Sequence, residues 1–193
     1  MNETVMINAY IVISIIIAAT DMLLAVKSFE KNKTTGRFLG FACMGAAIVD
    51  ISYLISIISD SYMCMAVMSS IYFISIDFML VSLLIFTVYF TKGKFSGYGK
   101  WMVAFCFLYC IYELIVFAVN PFMEIAIEYK PRDTLIAKYS YHMKPLYDLH
   151  LIFSYVMVLL VVGLLIRKIC KIPHEYRWQY LSVIIGILII VGT

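Results

Sequence analysis

The chain has 193 residues, 64% of them hydrophobic and 14% charged, with a formal net charge of +3. A soluble domain carries about 45–50% apolar and about 25% charged residues, so the composition marks an integral membrane protein. The five cysteines, Cys43, Cys64, Cys106, Cys110 and Cys170, form no CxxC and show no metal-ligand spacing, and four of them sit in or at the ends of apolar runs. That excludes a disulfide framework and leaves packing as their role.

The N-terminal stretch "MNETVMINAYIVISIIIAATDMLLAVK" lacks a positive leading region, carries Glu3 and has an apolar run longer than a signal peptide needs. It reads as a retained span over Val5–Val26. Four further complete spans follow at Phe38–Ile58, Met63–Phe90, Trp101–Val119 and Leu149–Ile169. A sixth begins near Trp178 and runs to the end in "YLSVIIGILIIVGT", without a polar flank. The expected fold is an all-α polytopic transmembrane bundle over residues 1–193, cut before a seventh helix.

Basic residues orient it. The 1–2, 3–4 and 5–6 loops hold 11 of the 15 Lys and Arg, among them Lys33, Lys94, Lys171 and Arg177. The 2–3 turn "SDSY" holds none, and the basic residues of the 4–5 segment are offset by Glu124, Glu128, Asp133 and Asp148. Cytoplasmic loops carry the excess of Lys and Arg, so the N-terminus lies outside. These clusters serve topology and anionic-lipid contact rather than nucleic acid. The 4–5 segment, "NPFMEIAIEYKPRDTLIAKYSYHMKPLYD", is rich in Tyr, and Pro121, Pro131 and Pro145 interrupt any long helix in it. Short strands or interfacial turns over the outer mouth of the bundle are expected there.

Acids inside the spans are the chemical signal. A charge at the bilayer centre costs about 2.5–3.5 kcal/mol even on the lenient insertion scale. Yet Asp50, Asp77 and Glu113 fall at middle or outer depth, and Asp21 lies nearer the inner end of the first span. By helical phase, Asp50 shares a face with Gly36, Cys43, Ala46 and Ala47, Asp77 with Ala66 and Ser70, and Glu113 with Cys106, Tyr109, Cys110 and Asn120. Small or polar faces turn toward neighbouring helices, so the acids point inward. No Lys or Arg lies deep in a complete span to balance them.

Two roles fit: neutral interhelical hydrogen bonding, or a shared outward-facing pocket for a cation, an amine or protons. At the opening of the fifth span, "YHMKPLYDLHLIFSYV", His150 and Ser154 are one turn apart and Asp148 shares a face with Tyr155. Interfacial anchoring by Tyr and His is the expected role there. His142 and His150 with an acid match no known metal-ligand spacing, so no metal site is expected. The candidate ligand-binding residues are Asp50, Asp77, Glu113, His150, Tyr109 and Tyr155. No nucleotide, phosphate-loop, metalloprotease or serine-hydrolase motif occurs, and no cofactor is expected.

"YDLHLIFSYVMVLLVVGLLIRK" followed by "IPHEYRWQYLSVIIGILIIVGT" resembles the N-terminal seven-helix region of bacterial membrane histidine kinases and related diguanylate cyclases. The likeness rests on Tyr147, His150 and Tyr155, and on Pro173, Tyr176, Arg177 and Gln179. It extends in layout to the N-out start and the long segment between helices four and five. It implies a cell-membrane sensor of a two-component type. Such a region detects a small ligand or membrane state and passes a helix shift to a cytoplasmic output domain in cis, with a homodimer allowed. A small-molecule transporter subunit is the main rival. A retinal protein would need a lysine inside its last helix.

Overall fold

The computed structural model describes residues 3–31, 33–93, 97–132, 134, 137–173, 175, 177, 178 and 180–185. Five long helices carry the fold: α1 (Glu3–Glu30), α2 (Thr34–Ile58), α3 (Tyr62–Lys92), α4 (Gly97–Met123) and α5 (Pro145–Ile169). All five are long and apolar enough to cross a membrane. Residues 180–185 are helical as well. Lys94, Asp133, Tyr176, Gln179 and residues 186–193, which bear on the loop charges, the resemblance and the sixth span, lie outside the described residues.

Local chemistry sets the helix ends. Ser61 caps α3 by accepting a hydrogen bond from the Cys64 amide. Gly93 ends α3 with φ 72°, a left-handed conformation that costs glycine nothing. Pro145 opens α5 at its first turn, where its missing N–H is no loss. Pro121 is tolerated in the last turn of α4, and the helix stops two residues later as Glu124 turns left-handed at φ 48°.

α3 is the most buried span and the hub of the bundle, packing against α2, α4 and α5, whereas α1 leans on α2 and turns an apolar surface outward. The small residues of α2 let it approach closely. A Cβ on Gly45 would stand 3.0 Å from the Met79 Cβ and 3.2 Å from its Cα. Two apolar cores stack along the bundle. The outer one gathers Met65, Phe73, Val116, Phe117, Ala126, Ile127 and Tyr129. The inner one gathers Leu80, Leu84, Cys106, Phe153, Met157, Val161 and Leu165, with Ile184 of the sixth helical stretch.

The 4–5 segment forms the short strands that the sequence allowed, β1 (Ile127–Pro131) and β2 (Tyr139–Met143), paired antiparallel with Tyr129 opposite Tyr141. Asn120, buried at the end of α4, holds the hairpin down. Its Oδ1 accepts from the amides of Ala126 (2.8 Å) and Ile127 (3.0 Å), while its Nδ2 donates to the Ile127 carbonyl and the Tyr129 hydroxyl, both at 3.2 Å. The Ala137 amide donates to the Ile57 carbonyl at 2.7 Å, Lys138 pairs with Asp60, and the Tyr62 hydroxyl donates to Glu124. The hairpin thus closes the end of the bundle that carries the 2–3 turn, the outer end by charge bias.

Candidate functional site

Three helical seams meet at one level. On α5 the buried positions are His150, Phe153, Met157, Val161 and Leu165, spaced by three or four. On α3 the seam runs through Ser70, Phe73, Asp77, Leu80 and Leu84, and on α4 through Cys106, Glu113, Phe117 and Asn120. This is the period by which a helix keeps one face toward its neighbours. Each seam carries one carboxyl or imidazole side chain at the boundary between the two cores.

Those three side chains converge. Nδ1 of His150 lies 3.2 Å from Oε2 of Glu113 and 3.5 Å from Oδ1 of Asp77. Asp77 is 2% exposed, Glu113 1% and His150 3%. The imidazole nitrogen is within ion-pair reach of both carboxyl groups, and among the described residues these acids have His150 and the Tyr109 hydroxyl as polar side-chain neighbours. Ionisable side chains are rarely buried this deeply inside a membrane bundle, so two acids and a histidine in one small buried volume are a functional signal. The buried hydroxyl of Ser154 has no hydrogen-bond partner among the described residues.

An aromatic wall encloses the imidazole. Phe117, Phe73 and Tyr147 place their ring centroids 5.1, 5.5 and 5.9 Å from that of His150. On the inner side, Tyr109 stacks on Phe153 at 3.9 Å with its hydroxyl facing Glu113, and the Cys110 thiol reaches the Asp77 carbonyl at 3.9 Å.

The other candidates lie elsewhere. Asp50 is half-buried and faces Asp21 across the α1–α2 contact, as one of two carboxyl groups within hydrogen-bonding reach. It does not join Asp77 and Glu113. Tyr155 is 57% exposed and points away from the cluster, since five residues after His150 is nearly the opposite face of α5. His150 differs most from expectation. It is buried between two acids instead of anchoring at the interface, because α5 starts at Pro145 and carries it more than one turn into the helix. It is the basic partner that a search for Lys and Arg misses.

In the hairpin outside the spans, burial, with Tyr141 nearby, pushes the Tyr129 phenol above its ordinary ionisation range.

Compared with known proteins, the chain matches the family model described as the N-terminal 7TM region of histidine kinase, over residues 9–193. No curated protein and no solved structure matches it.

Proposed function

Because the chain belongs to the family of N-terminal 7TM regions of histidine kinases, we propose that it is the signal-sensing input region of such a kinase, that the Asp77–Glu113–His150 layer reads the signal, and that the catalytic output domain follows in cis on the cytoplasmic side. One observation carries this reading: three ionisable side chains from three different helices share one buried point. A change of charge or coordination at that point acts on α3, α4 and α5 together. From His150 the buried seam of α5 runs to Leu165, about 22 Å along the axis at 1.5 Å per residue, and ends at the basic Arg167 and Lys168. The layer therefore connects mechanically to the inner face.

The transmission is a population shift. A signal that binds one arrangement of the layer better than another moves the equilibrium by its differential affinity and no more.

The test uses the full-length protein in lipid nanodiscs, with autophosphorylation from ATP as readout. Asp77→Asn and Glu113→Gln keep the shape of a neutral acid and its capacity for hydrogen bonds but cannot carry charge. Both substitutions change signalling output while membrane levels stay normal. Unchanged output from both variants overturns the reading.

A further inference from the structure

We propose that Asp77, Glu113 and His150 form a binding site for a divalent first-row transition-metal ion. The donor set is one imidazole nitrogen and two carboxyl groups, with one ligand atom from each residue lying within 4.8 Å of the others. Zinc bonds to such donors are about 2.0–2.2 Å long, so the ligand–ligand edge of a tetrahedral site is about 3.3–3.6 Å. The two distances at Nδ1, 3.2 and 3.5 Å, fall close to that edge.

Two further observations point the same way. Each donor side chain is almost wholly buried, and no Lys or Arg lies deep in the spans to balance the two acids. Nδ1 sits at nearly equal range from one oxygen of each acid, so the three donors face a common point. Charge balance agrees as well. Two carboxylates and a neutral imidazole sum to −2, which one divalent cation cancels inside a low-dielectric bundle, with each ligand in the form that metal binding requires. Imidazole among the donors favours zinc or its transition-metal neighbours over magnesium and calcium, which take oxygen ligands. Three protein ligands leave a fourth position for water or an external group, as in open zinc sites.

Only the signalling role of this ion rests on the function proposed above; its binding stands on the geometry. The test is metal content of the full chain, purified, stripped with chelator, loaded with Zn(II) or Co(II) and desalted. Wild type retains about one zinc per chain, and bound cobalt shows the visible bands of a tetrahedral site. Glu113→Gln and His150→Gln each weaken binding by at least about tenfold, the smallest loss seen even for outer-shell partners of metal sites. Asp50→Asn, a membrane acid outside the cluster, keeps full zinc. Where a cluster variant misfolds by circular dichroism, the wild-type cobalt spectrum decides: bands that excess zinc abolishes support the site, and their absence overturns it. Zinc retention equal in wild type and folded Glu113→Gln also overturns it. Metal binding without any effect of the cluster variants on autophosphorylation contradicts the sensor role and leaves the metal site standing. Altered output without metal binding does the reverse.

Discussion

Glu113 and His150 meet at 3.2 Å although α4 and α5 are separated in sequence by a whole hairpin. The hairpin makes the meeting possible. It reverses the chain over the outer mouth and delivers Pro145 to the start of α5, so that the second turn of that helix lies level with the middle of α4. Asp77 completes the layer from the central helix. The layer thus lies deep in the bundle, each of its three side chains at most 3% exposed.

The charge bias predicts opposite sides for the 1–2 loop and the hairpin. Reporter fusions at Lys33 read cytoplasmic and those at Lys138 read external. A cytoplasmic hairpin would reverse the orientation and place the triad in the inner half.

Asn120 is the hinge pin of the hairpin. Asn120→Ala strips partners from the amides of Ala126 and Ile127, and each buried unsatisfied group costs about 1–3 kcal/mol. Hydrogen exchange over 126–131 accelerates strongly, while the helices keep their protection. Unchanged exchange there would show that the hairpin is held by its other contacts.

Tyr129 gives the hairpin an alkaline limit. Its folded-state pKa is raised by burial, so the neutral phenol is favoured in the folded chain. The stability from this group is full below the unfolded tyrosine pKa of about 10 and is lost as pH rises through the folded value. Hairpin protection falls above about pH 10 in wild type, and Tyr129→Phe flattens that fall at a cost of about 0.5–1.5 kcal/mol at neutral pH for the lost Asn120 hydrogen bond. An equally steep fall in the variant would assign it to another group.

Two glycines separate close packing from open space. Gly45→Val drives a side chain against Met79 and lowers stability by about 1–3 kcal/mol. A Cβ on Gly163 meets nothing within 4 Å, so Gly163→Ala leaves stability unchanged or raises it by about 0.5–1 kcal/mol. Thermal unfolding in detergent measures both. Equal effects would remove the close α2–α3 approach from the account.

Much of this was legible before any coordinates. The five spans follow from run length, and the inward aim of Asp77 and Glu113 follows from helical phase. The hidden part is three-dimensional. Placing the start of the fifth span at Leu149 left His150 at the water interface, whereas Pro145 at the helix start submerges it in the seam of Phe153 and Met157. Continuing that spacing backwards from Leu165 through Val161, Met157 and Phe153 reaches His150, and that was the available signal. Asp50 goes to Asp21 because side chains tilt toward the start of their own helix, and in an antiparallel pair these two tilt toward each other. Phase within one helix cannot show which neighbour it meets.

The central claim is that Asp77, Glu113 and His150 act as one unit. The most direct measurement is a double-mutant cycle on autophosphorylation by the full-length protein, with Glu113→Gln, His150→Gln and the pair. Side chains in direct contact couple by about 0.5–3 kcal/mol, whereas independent sites add. The account predicts that the double variant signals no worse than the more damaged single one. Effects that simply sum, as for two unrelated positions, would contradict it.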